Sequence, residues 1–179
     1  MGYSVAEAAK SLGIATNMLY KWKEKIEAST RRIALQILES NTEEKELFIV
    51  GIADNGLLFA KRIVKILASL SSPKITLISL QLNKKNPLDK ITTSEKLEVC
   101  KNRVVIVIDD VLNTGSTLIY AVNHFLQVPL KQLQTAVLVN RNHKRYPIKA
   151  DFKGLSLSTS NKEHIQVVLE GKDEGVYLS

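Results

Sequence analysis

The chain carries one cysteine, Cys100, in 179 residues. That excludes an internal disulfide framework and a cysteine-ligated metal cluster, and it points to a reducing, cytoplasmic setting. No apolar run approaches the roughly 20 residues needed to cross a bilayer, and the opening MGYSVAEAAK lacks the basic start and greasy middle of a secretory signal. A soluble protein without a membrane partner is expected. The Walker spacing G-x-x-x-x-G-K-S/T and the dinucleotide fingerprint G-x-G-x-x-G are both absent, which sets aside those two nucleotide-binding classes. There is no internal repeat and no low-complexity tract. Acidic residues are outnumbered, 18 against 25 lysines and arginines, for a net charge of +7. Such a surface favours anionic partners, either phosphorylated small molecules or nucleic acid.

What is present is a core-forming composition, 45% hydrophobic, enough for one domain of ordinary size with a small appendage. Residues 4–12 begin with a serine cap and a glutamate three positions on, Gly13 interrupts, and IATNMLYKWKEKIEA follows, so the start reads as helix, turn, helix. A further helical stretch, STRRIALQILESN, carries Ile33, Ile37 and Leu38 on one stripe, with Asn41 as its stop. Strands and helices then alternate. LFIVGIA, KITLISLQL, RVVIVID and LQTAVLV read as strands, while NGLLFAKRIVKILASL and STLIYAVNHFLQ read as helices. Runs such as VVIVI are apolar on both faces, as in strands of a parallel sheet covered by helices on each side. Residues 83–102 are polar, lysine-rich and without period, the mark of a functional loop. The tail, HIQVVLEGKDEGVYLS, offers one or two more strands.

The informative stretch is VVIVIDDVLNTGSTL, residues 104–118. If 103–108 is a strand of an open parallel sheet, Asp109 and Asp110 stand at its carboxyl end, where such sheets bind ligands. The turn that follows opens a helix whose first amides and dipole favour an anion. Gly115 permits close backbone approach, and Thr114, Ser116 and Thr117 add hydroxyls. Two carboxylates beside a phosphate cradle suit a phosphorylated sugar, its hydroxyls on the acids and its 5′-phosphate in the turn.

This stretch resembles the phosphoribosyl diphosphate (PRPP) signature of the type I phosphoribosyltransferases. AVLVNRNHKRYPIKADFKGLSLSTSNKEHIQVVL (136–169) is similar to the C-terminal half of the pyrimidine operon attenuators that double as uracil phosphoribosyltransferases. The resemblance covers about residues 29–179. It implies an α/β fold, a parallel sheet flanked by helices with a small C-terminal hood, here behind a helical extension at 1–28. It also implies transfer of the phosphoribosyl group of PRPP to a nucleobase, a pyrimidine such as uracil being the expected acceptor, with Mg2+ brought by PRPP rather than held directly by the protein. Asp109 and Asp110 would take the ribose hydroxyls, one of them steadying an oxocarbenium-like sugar, within a 5′-phosphate loop Val111, Leu112, Asn113, Thr114, Gly115, Ser116 and Thr117. Ala53, Asp54, Asn55 and Gly56 would form the pyrophosphate loop, and Arg141 would lie near the pyrophosphate or base. The 83–102 segment would be a lid, and a homodimer is expected from the family.

Departures from the pattern are equally specific. The resembled family carries Thr-Arg where this chain has Asp54-Asn55. A charge-assisted hydrogen bond contributes about 1.5–3 kcal/mol, so that loss corresponds to about 10- to 100-fold in PRPP binding. Ser116 stands where the family often has Arg, and Asn140 where it has Asp. These changes favour a rival reading, a nucleotide-sensing regulator with vestigial catalysis that holds RNA through the basic region around His143, Lys144 and Lys149. DNA is a further candidate partner, because GYSVAEAAKSLGIATNMLYKWKEKIE resembles a transposase-type helix-turn-helix with Asn17, Tyr20, Lys21 and Lys23 on its second helix. Leu19 and Trp22 serve equally well as packing residues.

Overall fold

A computed structural model describes residues 16–70, 73–141, 143–157, 165–171 and 174–178. Positions 1–15, including Gly13 and the first of the expected helices, fall outside the described residues, and residues 16–23 are described by their backbone alone.

Helix α1, Thr16–Glu39, unites two stretches that the sequence reading separates at Ser29. The reason is local. No glycine or proline interrupts the span, and the Thr30 hydroxyl donates to the Ile26 carbonyl one turn earlier at 2.6 Å, so it joins the helix instead of capping a new one. Ile26, Ile33 and Ile37 form the buried stripe. Asn41 ends the helix as expected, its amide donating to the Ile37 carbonyl at 2.7 Å and to Gln134 Oε1 at 2.9 Å.

Strand β1, Glu46–Ile52, leads into α2, Asn55–Leu70, and then β2, Lys74–Gln81. The 83–102 segment is not wholly irregular, since it holds a two-residue strand β3, Thr92–Thr93, and a 3-10 turn, Leu97–Cys100, anchored by the buried Cys100. Then come β4, Val104–Leu112, helix α3, Ser116–Phe125, and β5, Gln132–Arg141. Strand β6, Phe152–Leu157, has no counterpart among the expected strands. Its partly exposed, glycine-containing pattern hides it from a search for apolar runs. The tail forms both of its expected strands, β7, Ile165–Val168, and β8, Gly175–Leu178, as an antiparallel ribbon.

The main sheet has the order β3-β2-β1-β4-β5-β6 and is parallel except for β3. Its two faces divide the core by strand alternation. Leu47, Ile49, Val104, Ile106 and Ile108 pack with α1, α2 and the β7–β8 ribbon, whereas Phe48, Val50, Ile52, Val105 and Val107 pack with α3 and Cys100. Each Ile or Leu fully buried this way contributes about 1.5–3 kcal/mol relative to exposure. Helix α2 leaves β1 toward one face and α3 leaves β4 toward the other, although β1 and β4 are neighbours. The loops after these two strands therefore part and open a crevice at their carboxyl ends. The α/β architecture with a mostly parallel, helix-flanked sheet is the one expected. Among the described residues no helix is long and apolar enough to cross a membrane.

Candidate active site

The crevice between β1 and β4 gathers most of the residues singled out above. Strand β4 runs on to Leu112, beyond the expected end, because Val111 and Leu112 continue the ladder to Val139 and Asn140 of β5. Asp109 and Asp110 are thus strand residues, 3% and 9% exposed. Burial pushes the Asp109 carboxyl well above its usual range, and the neighbouring Asp110 charge pushes the same way, while Lys84 opposes them. Asp109 Oδ1 accepts the Asp110 backbone N–H at 3.0 Å and lies 3.9 Å from Lys84 Nζ.

On the β1 side, Ala53 N–H donates to the Leu80 carbonyl at 2.9 Å, which moors the loop to the end of β2. The Ala53–Asp54 peptide is cis. Asp54 is exposed. Asn55, by contrast, is engaged: its amide donates to Asp110 Oδ2 at 3.2 Å and to the Val167 carbonyl at 2.8 Å. One side chain therefore joins this loop, the acidic strand and the β7–β8 ribbon. Gly56 is a necessity of packing, since a Cβ there would stand 3.0 Å from both Asp109 Oδ1 and the Ile108 carbonyl.

On the β4 side, Gly115 precedes α3 at φ +87°, where only glycine is unstrained, and a Cβ would meet Ile148 Cγ2 at 2.7 Å. Gly115 has no side chain to cap the helix, and the first amide of α3, Ser116 N–H, donates to Thr114 Oγ1 at 3.3 Å. The Thr114 carbonyl accepts Arg145 N–H at 2.9 Å and Tyr146 N–H at 3.1 Å. Tyr146 meets Tyr120 of α3 edge to face, with centroids 6.3 Å apart. The 145–148 segment thus clamps the turn. Nothing in the sequence alone marks Tyr146 or Ile148 for that role.

Arg141 is the last residue of β5 rather than a loop residue, 4% exposed, and Nη1 donates to Asn113 Oδ1 at 3.3 Å. It braces the turn from the far side. Asn140 beside it keeps a buried side-chain oxygen without a hydrogen-bond partner among the described residues. His143 is half-buried, and Lys144 and Lys149 are exposed on the surface beyond β5. Burial first, then the charges of Lys153 and Lys149, push the Lys144 ammonium below its usual value. Lys84, absent from the sequence candidates, belongs to the lysine-rich segment whose individual members the sequence does not distinguish. Among the described residues no group of three or more His, Cys, Asp or Glu is arranged to hold a metal ion.

This geometry can be set against known proteins. The phosphoribosyl transferase domain family matches residues 16–170. The chain is 35% identical over 151 residues to a protein named bifunctional protein PyrR from Clostridium acetobutylicum, covering 80% of this chain and 85% of that one. It is 36% identical over 166 residues to the protein of the same name from Fusobacterium nucleatum, covering 86% and 93%. Among solved structures, the hypoxanthine phosphoribosyltransferase of Trypanosoma cruzi matches with a TM-score of 0.68 at 16% identity, over 79% of this chain and 81% of that one. A hypoxanthine-guanine phosphoribosyltransferase from Bacillus anthracis matches with a TM-score of 0.66 at 19% identity, over 79% and 80%. At those identities the likeness is one of fold. A doubly flanked parallel sheet, two carboxylates and a clamped glycine turn at its switch point, and a family match over most of the length lead to one conclusion: the chain belongs to the phosphoribosyl transferase domain family.

Proposed function

We propose that the protein transfers the 5-phosphoribosyl group of PRPP to a nucleobase, with a pyrimidine such as uracil as the acceptor, in the cytoplasm. The observation that carries this reading is the single corner where the buried Asp109–Asp110 pair meets the first amides of α3. The amides and hydroxyls of Thr114–Thr117 take the 5′-phosphate, and the carboxylates take the ribose hydroxyls. The loop from Ala53 to Gly56 lies under the pyrophosphate. The bond from C1 of the ribose to pyrophosphate breaks, and a ring nitrogen of the base takes its place with loss of its proton. Positive charge on the sugar in between is steadied by the fixed carboxylates, a preorganised electrostatic effect.

The residues present fit a magnesium ion carried by the substrate. The buried pair Asp109 and Asp110 matches the usual site for this ion, which takes one or two carboxylates plus substrate phosphates. Asp109 and Asp110 would face it, and when bound it neutralises pyrophosphate charge. In this reading 29–179 is the catalytic unit and 1–28 an extension continuous with it through α1, the β7–β8 ribbon supplies the hood, and the working form is a homodimer. Turnover of PRPP with magnesium against a panel of bases, run beside Asp110→Asn, tests the reading. Equal product from both proteins would reject it.

A second reading is favoured by one observation, the three exposed lysines Lys144, Lys149 and Lys153 on the surface beyond β5. Such a cluster concentrates positive charge and suits RNA. Lys144→Gln with Lys149→Gln should then lower RNA affinity and flatten its salt dependence while turnover is retained.

A further inference from the structure

The crevice poses a problem of charge. Its floor carries Asp109 and Asp110, the loop after β1 adds Asp54, and the 53–56 stretch contains no cation. A pyrophosphate group would enter a corner with three carboxylates around it, and like charges this close oppose binding. Beside the magnesium carried by the substrate, a side-chain cation aimed at the same place would offset that repulsion and add a charge-assisted hydrogen bond.

The structure supplies one from outside the loop. Lys84 lies three residues past the end of β2, and its ammonium comes within 3.9 Å of Asp109 Oδ1 on β4. In the sheet, β1 lies between β2 and β4. Adjacent strands are about 4.8 Å apart, so residues 82–84 and the Lys84 side chain together cover the roughly 10 Å from the β2 end to β4, on the side of the sheet edge where Ala53–Gly56 turn. The mooring of Ala53 to Leu80 keeps that loop beneath the lysine's path. The Lys84 side chain is 44% exposed, and 3.9 Å is beyond ordinary hydrogen-bond length. The contact with Asp109 is a long ion pair between a half-exposed ammonium and a buried carboxylate.

We propose that Lys84 seats the pyrophosphate group, reaching across the β1 loop from the base of the 83–102 segment and exchanging its contact with Asp109 for the phosphate oxygens. The inference rests on the phosphoribosyl-transfer reading and deepens it. Lys84 is a binding residue for the leaving group, separate from the amides that hold the 5′-phosphate, and it couples the 83–102 segment to the presence of that group.

The test is a set of binding titrations with magnesium present, using PRPP, inorganic pyrophosphate and ribose 5-phosphate as probes, on the wild-type protein, Lys84→Met and Lys84→Arg. Lys84→Met should weaken PRPP and pyrophosphate by the same factor, about tenfold for a lost charge-assisted contact. Ribose 5-phosphate, which lacks the pyrophosphate, should bind as before, and Lys84→Arg should recover most of the loss. If Lys84→Met binds pyrophosphate as tightly as the wild type, or all three probes weaken together, the assignment is overturned while the transfer reading stands. If the folded wild-type protein binds neither PRPP nor pyrophosphate, the transfer reading fails and takes this assignment with it.

Discussion

The loops that leave β4 and β1 border one crevice and differ in almost every physical respect. After β4, the turn at Asn113–Thr117 offers backbone amides, is forced into shape by Gly115, and is clamped by Arg145, Tyr146 and Ile148 on one side and Arg141 on the other. After β1, the turn at Ala53–Gly56 offers side chains, one of them an exposed acid, and its Asn55 is spent on Asp110 and Val167. An amide-based grip survives side-chain change, because the donors belong to the backbone and only the glycine and its packing must be kept. A side-chain grip is free to move, and a residue from a neighbouring strand's loop can take it over. Lys84 illustrates the second case and the β4 corner the first.

The two loops should respond differently to substitution. The largest effect is expected at the rigid corner, where Asp110→Asn should lower turnover by about 10²–10³-fold with the melting temperature retained; steady-state rates with PRPP, base and magnesium measure it. Next is Gly115→Ala. Strain at positive φ, together with the collision at Ile148, costs about 1–3 kcal/mol and should weaken PRPP and ribose 5-phosphate alike by about 5- to 100-fold. A loss confined to PRPP would move the 5′-phosphate elsewhere. Asn55→Ala removes two part-buried hydrogen bonds and should cost about 1–2 kcal/mol in denaturant unfolding, a loss that would be absent if the loop were only a ligand contact.

Smaller changes probe the exposed loop. Asp54→Thr removes a solvated charge and should tighten pyrophosphate by about 1.5- to 5-fold, the range of an exposed pair, as isothermal titration would show. The last contrast lies in stability, and its mark is direction. The folded Asp109 pKa lies above its ordinary 3.8, so the native state holds this proton more tightly than the unfolded chain. The cost of ionising it in place is absent below 3.8 and grows as pH rises through the window up to the raised folded value. Asp109→Asn should therefore raise the melting temperature at neutral pH and raise it less near pH 4. A larger gain at the acid end would contradict burial as the dominant cause.

Much of this was legible in the residues. Apolar runs on both faces announced a covered parallel sheet, and the Asp-Asp to Thr-Gly-Ser-Thr sequence announced two carboxylates and a glycine turn near its carboxyl edge. The boundary at Ser29 misled because a threonine hydroxyl bonds backward into a helix as readily as it caps one, and only the Ile26 contact decides between them. Strand β6 was missed because edge strands alternate weakly. The strand expected over LQTAVLV stops short of Arg141, whereas ladder pairing to Leu157 extends β5 to that position, and pairing partners are invisible in one dimension.

By itself the sequence determined the strand and helix periods, the glycine at the turn before α3 and the adjacency of two carboxylates, since these depend on neighbours within a few bonds. Tertiary structure alone decided that Asn55 binds Asp110 and Val167, that Ile148 presses on Gly115, and that Lys84 reaches Asp109. Those contacts join residues that the sheet's strand order brings side by side, and strand order is set by how the two faces of the core bury together rather than by any local preference.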